Sequence, residues 1–451
     1  PRLEEVDING PIAAFMVGVL VLVTFFVGLV PAFAVFKTRI TEGITQSTRT
    51  TESRSAVRLR EALTVVEIAL AVMLLVCGGL AVRSLQERLK DDVGFATSHL
   101  LTFKTNLTEQ AYPDRARTNR FYEQLTAKLE ALPGVASVAA VSYLPLSGES
   151  QFRGALPAAS GPAPTDNAQY APVAWRVTRG PYFSAMGTAL RAGRFFNETD
   201  RAESAPVTIV DDEFARRFWT DPAAALGQSL RYSDGTIVEL RTIVGVVHRV
   251  KHNGPGGVSL PEVYVPQEQY YQRGMYTVIK TTGAVSGLVA QARARLAVVD
   301  PTVPLYFIDT MEQRYASTLA LPRFTAGLVS AFSTLALILA GVGIFGVTAY
   351  SVAQRQREFG IRFALGGQRS HVAGLVLGRV GKLALIGGIV GALGALHVAE
   401  WMKSLLYGVQ PTDLSSLAVA VAVIGVATLV ASLAPVIRAM RVDPMEVLRS
   451  E

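Results

Sequence analysis

Five long apolar blocks constrain this chain more than any other feature. They run roughly from Pro11 to Val35, Ala62 to Val82, Phe324 to Tyr350, Leu383 to Met402 and Leu414 to Ile437. Each is close to the ~20 residues that cross a hydrocarbon layer of ~30 Å. A backbone in lipid must satisfy its own hydrogen bonds, so each block is expected to be a transmembrane helix. Half of the 451 residues are hydrophobic, and the mean hydropathy is +0.32. The expected fold class is therefore a multi-pass α-helical membrane protein.

Charge sets the orientation. The formal net charge is +7, but the excess lies beside the apolar blocks rather than on one soluble face, and no nucleic-acid partner is expected. Lys37, Arg39, Arg49, Arg54, Arg58 and Arg60 separate the first two blocks. Arg355, Arg357, Arg362, Arg369, Arg379 and Lys382 separate the third and fourth, and Arg438, Arg441 and Arg449 follow the fifth. Only Lys403 lies in the short turn between the fourth and fifth. Short loops rich in Lys and Arg stay in the cytoplasm. The long segment from about Arg83 to Arg323 is then extracytoplasmic.

That segment reads as soluble α/β. Leu100 to Thr105 alternates as a strand. Asp114 to Leu132 has helical spacing, with Phe121, Leu125 and Leu129 on one face. Pro133 and Gly134 break it, and Val135 to Tyr143 is a second strand, giving a β-α-β unit. Ala155 to Pro164, rich in Pro, Ala and Gly, reads as a flexible loop. Further strands are expected at Val207 to Val210, Ile237 to Val247, Glu262 to Val265, Tyr276 to Lys280 and Leu305 to Ile308. Helices are expected at Asp211 to Trp219 and Leu288 to Val298. Two subdomains are expected, divided near the loop.

The sequence holds no G-x-x-x-x-G-K-[ST] phosphate cradle, no H-E-x-x-H and no G-x-S-x-G. His248 and His252 are four apart, but on strand and loop rather than on one helix face, and read as surface histidines. Cys77 is the one cysteine and reads as a small packing residue. No catalytic, cofactor or metal site is expected. Glu67 lies within the second block, where an ionisable group is a functional candidate. Its nearness to Arg60 favours a plain contact with the interface or a neighbouring helix. Gly387, Gly391 and Ala395, four apart, form a small-residue ridge for close helix packing, and Gly341, Gly343 and Gly346 lie in the third block.

The stretch from Gln354 to Gly366 is charged, then amphipathic. Arg357-Glu358-Phe-Gly360-Ile-Arg362-Phe-Ala364-Leu365-Gly366 resembles the R-E-[IF]-G-[IL]-R-x-A-x-G signature of MacB/FtsX-type ABC transporter permeases. Pro435-x-x-Arg438-Ala439-x-Arg441, continuing through Pro444 to Leu448 and Arg449, resembles the same family's C-terminal motif. Leu132-Pro-Gly-Val135, Gly193-Arg194-Phe195 and Val244-Gly-Val246 resemble a duplicated subfamily, the acidobacterial duplicated orphan permeases. Pro31, Lys37 and Glu42 echo Pro435, Arg441 and Glu446 in register. With Pro1 in place of Met, this leads to the expectation of a C-terminal part of a duplicated permease.

The resemblance implies a division into residues 1–36, the last helix of a preceding permease unit; 37–60, a cytoplasmic linker; and 61–83, a transmembrane helix. Residues 84–322 would be a MacB-like periplasmic core of two α/β subdomains, and 323–451 an FtsX-like domain with three helices. It implies an inner-membrane permease subunit without an ATPase site of its own, coupling ATP hydrolysis by a cytoplasmic ABC ATPase on another chain to motion of the periplasmic domain (mechanotransmission). Arg355, Arg357, Glu358, Gly360, Arg362, Ala364, Leu365 and Gly366 would form the ATPase-coupling element. Membrane lipid, a second permease unit (as homodimer or covalent pseudo-dimer), and a periplasmic adaptor or outer-membrane channel are the other implied partners. The alternative reading is an FtsX-like transmembrane regulator of periplasmic cell-wall enzymes with no transported substrate.

Overall fold

The computed structural model describes residues 10–39, 54–161, 169–233, 238–283, 285 and 287–442. The chain divides into two compact units. One comprises Pro1–Gln86 with Pro322–Glu451, and the other Glu87–Leu321.

The first unit is helical. Helix α1 (Gly10–Arg39) carries the first apolar block, and α2 (Arg54–Lys90) the second. Among the fully described residues, four helices are long and apolar enough to cross a membrane, α2 and the three that follow the outer domain; the apolar part of α1 among them is Gly10–Leu22.

The second unit is built around one sheet. Strand β1 (Leu100–Asn106) leads to α3 (Arg115–Glu130) and β2 (Val135–Val141). Asp114 caps α3 by accepting from the Arg117 amide at 2.8 Å, and Phe121, Tyr122, Leu125 and Leu129 are its buried stripe, as a 3.6-residue period requires. Next come β3 (Phe152–Pro157), β4 (Ala171–Arg179), α4 (Tyr182–Met186), β5 (Leu190–Gly193), β6 (Val207–Asp211) and α5 (Asp212–Phe218). Then follow β7 (Ser229–Ser233), β8 (Val238–Val247), β9 (Glu262–Pro266), β10 (Gly274–Thr281), α6 (Leu288–Val299), β11 (Tyr306–Thr310) and α7 (Met311–Thr318).

Strand order begins β11-β1-β10-β2, then passes to β4. The expected β-α-β unit is split: β10 lies between β1 and β2, antiparallel to both. From β4 the pairing runs through β3, β7, β8, β6 and β9, and β9 pairs back on β4 in parallel. Six strands therefore close a ring, which leaves no free edge among them. All six contribute to one apolar cluster, through Ala155, Val173, Val210, Leu230, Ile243 and Val263. Trp175 joins it, edge-on to Tyr232 at 4.9 Å between ring centres. The expected loop from Ala155 to Pro164 is corrected here: Ala155 to Pro157 finish β3 and bond to β4 and β7, followed by a short 3-10 turn, Ala158–Ser160. Its Ala and Pro content concealed a strand whose pairing is entirely non-local.

Alternation along β4 puts Arg176 on the face opposite Trp175. There it meets Glu262, His252 and Tyr264, all buried. Arg176 Nη2 is 3.6 Å from Glu262 Oε1, His252 Nε2 is 2.8 Å from the same oxygen, and the Tyr264 hydroxyl donates to Glu262 Oε2. His252 is thus a buried residue, not a surface one. Burial pushes its imidazole below the ordinary value, with Glu262 pulling the other way and Arg176 adding to the shift. Burial also opposes ionisation of Glu262, but His252, Arg176 and Tyr264 outweigh it, so its carboxyl lies below the usual range. Asp211, raised by burial and by the Glu262 charge, caps α5 by accepting from the Phe214 amide at 2.7 Å.

Four helices complete the first unit: α8 (Ala320–Gln354), α9 (Gln356–Ala364), α10 (Arg369–Trp401) and α11 (Leu414–Met440). On α8, α10 and α11 the buried stripes mix small residues, Ala340, Gly387, Gly391, Ala395, Ala420 and Thr428, with a few larger ones such as Ile344, Val380 and Ile424. Large apolar side chains such as Phe324, Leu339, Ile389 and Leu429 face outward, where lipid accounts for them. A Cβ on Gly391 would lie 2.5 Å from the Ala69 carbonyl of α2, and one on Gly387 would lie 2.7 Å from the Ile68 side chain. Ser333 of α8 donates to the Leu74 carbonyl of α2 at 2.7 Å. Glu67 lies over α8, its carboxylate where a Cβ on Gly343 would stand, so it contacts a neighbouring helix. Gly341 and Gly346 have open space where a Cβ would point.

Two predictions follow from this packing. Gly391→Leu overpacks the α2–α10 seam and lowers stability by about 1–3 kcal/mol, read as a lower melting temperature in detergent; Gly388→Leu, where nothing lies within 4 Å, leaves it within about 0.5 kcal/mol. His252, neutral in the fold, contributes stability that is complete above about pH 6.5 and lost as pH falls through its depressed value. The outer unit's melting temperature is therefore expected to drop by about 2–4 °C or more between pH 7 and 5, with a smaller drop in His252→Gln.

Candidate functional site

The stretch after the third span forms α9. Helix α8 ends at Gln354, and Arg355 turns the chain with φ −104° and ψ 9° as the N-cap of α9. Gly366 ends it in the left-handed region at φ +84°. Its amide donates to the Phe363 carbonyl at 3.1 Å, and the Gly367 amide to the Arg362 carbonyl at 2.8 Å. This is the pair of bonds that closes a helix through a Schellman motif. Glycine is needed at Gly366 for the positive φ. At Gly367 a Cβ would stand 2.7 Å from the Arg362 carbonyl.

Helix α9 has two faces. Phe359, 1% exposed, is its anchor, in a cluster with Val352 of α8, Val372 of α10 and Ala439 of α11, flanked by Phe363 and Val376. Gly360 beside it is also buried. The other face carries Arg357, Glu358, Ile361, Arg362 and Leu365, all exposed. Leu365 is 82% exposed. Arg362 Nη2 donates to Glu358 Oε1 at 2.6 Å, one helical turn away, and Arg355 Nε lies 4.0 Å from the other carboxylate oxygen. Exposed pairs of this kind are worth only about 0.3–0.5 kcal/mol. They set two arginines about one carboxylate, presenting a net-positive surface beside two apolar side chains.

All eight residues of the expected coupling element, Arg355 to Gly366, therefore fall on α9 and its two caps. The C-terminal motif is only partly described. Pro435 is buried in α11 and Arg438 is exposed in its last turn, with Arg441 as the C-cap. Pro444, Leu448 and Arg449 lie outside the described residues, as do Glu42 and Glu446 of the internal echo.

One group at this end of the bundle was not singled out from the sequence. Arg379 of α10 reaches Glu61 of α2, with Nη2 2.5 Å from Oε1. In the sequence Arg379 reads as cytoplasmic positive charge and Glu61 carries no signal, since a residue's place on a helix gives no sign of which other helix it meets. Among the described residues no group of three or more His, Cys, Asp or Glu side chains is arranged to hold a metal ion. His248 contacts Asp92 at 3.1 Å and Asp212 at 3.4 Å, apart from His252 and its partner Glu262.

Residues 62–297 match the family model of the MacB-like periplasmic core domain, over half of the chain. The chain belongs to that family. Residues 330–444 match the FtsX-like permease C-terminal domain, so the chain is a permease of the MacB/FtsX type. Among similar curated proteins, the macrolide export ATP-binding/permease protein MacB 1/2 of Paracoccus denitrificans is 28% identical over 281 residues, covering 59% of this chain and 40% of that protein. The macrolide export ATP-binding/permease protein MacB of Salmonella paratyphi A is 25% identical over 284 residues, covering 60% and 42%. The chain thus spans about two-fifths of the length of these relatives. Among solved structures, the periplasmic region of MacB from Actinobacillus actinomycetemcomitans aligns with 52% of this chain and 99% of that one, at 16% identity and a TM-score of 0.34. The protein is a multi-pass inner-membrane permease with a periplasmic α/β domain between its membrane-spanning helices.

The cap geometry generates a prediction. Gly366→Val forces an L side chain into the left-handed region at about 1–2 kcal/mol. The amides of residues 359–365 are then expected to exchange about tenfold faster with deuterium, with the spans unchanged.

Proposed function

We propose that this protein is the permease subunit of an ABC transporter whose ATPase is a separate cytoplasmic chain, and that α9 is the surface on which that ATPase docks. The observation that carries the reading is the two-faced α9: Phe359 fixes it to three spans, while Leu365, Ile361 and the fork of Arg355, Glu358 and Arg362 are presented outward. Positive-inside charge alone requires arginines here. It does not require a capped helix with an outward leucine. A partner that meets both features would offer an apolar socket rimmed by acidic groups.

The permease sequence holds no phosphate-cradle motif, and in this reading nucleotide hydrolysis belongs to the ATPase rather than to the permease domains. The relatives' names join ATP binding to permease function, and this chain matches the permease domains. In this reading, ATP-driven motion at α9 moves the spans and through them the periplasmic domain, which exports or extracts an envelope substrate by mechanical displacement. Two permease units act together, as a homodimer or a covalent pair.

The test exchanges the fork. Glu358→Lys with Arg362→Glu keeps an opposite-charge pair one turn apart, so α9 stays helical, and leaves the net charge unchanged, but it interchanges where the positive and negative groups are presented. Solubilised in mild detergent from native membranes, the wild-type protein is expected to retain an ABC ATPase identified by mass spectrometry, with vanadate-sensitive turnover. The double variant is expected to retain at least about tenfold less. Equal retention would exclude α9 as the docking surface.

A further inference from the structure

Helix α8 joins α9 directly to the periplasmic domain; a second helix also leads out to that domain and has no such covalent link to α9. That helix is α2, unbroken over 37 residues, or about 55 Å at 1.5 Å per residue. Arg379 supplies a link between the two at the cytoplasmic end. Its Nε donates to Glu61 Oε1 of α2 at 2.7 Å, its Nη2 lies 2.5 Å from the same oxygen, and its Nη1 donates to Ser351 Oγ of α8 at 3.2 Å. One guanidinium thus joins α2, α8 and α10. The pair is about one-third exposed or less on both sides, so salt screens it less than an open surface pair. Beside it, the Arg60 guanidinium lies 4.2 Å from the Tyr350 ring centre, and Gln354 donates to the Tyr350 hydroxyl at 2.8 Å.

Two small cavities flank this guanidinium. Phe359, Arg355 and Val376 help to line one, and Glu61, Arg60 and Tyr350 the other; Arg379 and Ser351 belong to both. Arg379 therefore stands between the anchor of α9 and the inner end of α2. Along Gly387 and Gly391 the packing is too tight for such play, because a single Cβ there would collide with α2. Close-packed contacts transmit displacement, and unfilled space gives a charged fork room to shift.

We propose that Arg379 is a positioning residue for energy coupling: the Arg379–Glu61 pair relays displacement of α9, delivered through Phe359, to the inner end of α2. This rests on the docking reading above. A plain structural staple would hold the helices together with no part in coupling. The two are separated by measuring retention and turnover independently.

The full-length protein, reconstituted in nanodiscs with the ATPase it retains, is compared with Arg379→Gln and with the charge exchange Glu61→Arg/Arg379→Glu. For each, the ATPase retained per permease and the permease-stimulated turnover per retained ATPase are measured. The relay predicts that Arg379→Gln keeps retention within about twofold but loses about tenfold in stimulated turnover, and that the exchange recovers at least half of it. If Arg379→Gln does not fold, Arg379→Lys, which keeps the charge without the fork, is expected to show the same split with a smaller loss. Unchanged turnover in Arg379→Gln would overturn the relay and leave the docking surface standing. Loss of retention together with turnover would make the pair a staple under α9 and also overturn the relay. A wild-type protein that retains no ATPase would overturn the docking reading, and the relay with it.

Discussion

In hydrocarbon, burying leucine against leucine gains little, so helices are held together by close approach and by the few polar groups that have nowhere else to bond. The seam between α2 and α10 shows this constraint directly. Gly387 and Gly391 let the backbones approach until Ala69 and Ile68 fill the space a side chain would need. Ser333 adds a hydrogen bond from α8 to the Leu74 carbonyl. At the outer end Arg83 pairs with Asp413 at 2.6 Å, and at the inner end Arg379 pairs with Glu61. A helix fixed along its length and paired at both ends moves as a rod. Both the docking reading and the coupling inference depend on that stiffness.

The periplasmic unit meets the opposite problem, an aqueous surface and a sheet that must not leave edges open. Closing six strands into a ring solves this for one half, and β4 joins that ring to the flatter half through its two-residue pairing with β2. The cost is a polar face at the junction, where Arg176, Glu262 and His252 are all buried. A neutral histidine leaves that cluster with one positive and one negative charge, which is the balance burial favours.

The spans were legible because their length and apolarity are local properties. The stretch that forms α9 showed only a charged then amphipathic pattern ended by two glycines, which fits a solvated segment as well as a helix, and it was the family signature that drew attention to it. The outer strands with strong alternation, such as Leu100 to Thr105, were as plain as the spans. What sequence did not reveal was non-local. Ala155 to Pro157 has no alternating pattern and is a strand only because β4 and β7 flank it. His252 reads as a surface residue until the loop after β8 carries it to Glu262, ten residues on. The Arg379–Glu61 pair joins residues 318 positions apart; Arg379 alone is indistinguishable from the basic charge that marks the cytoplasmic face, and Glu61 alone carries no pattern. Sequence showed which helix carries the signature, but not which helices its motion would reach.

The account stands or falls on what touches the outward face of α9. A photo-crosslinking amino acid placed at Ile361 in the full-length protein, activated in intact cells and followed by peptide mass spectrometry, reads this directly. The account predicts a crosslink to a cytoplasmic ATPase, with the same probe at Gly360, on the buried face, giving none. A crosslink from Ile361 only to lipid, or to a periplasmic protein, would contradict it.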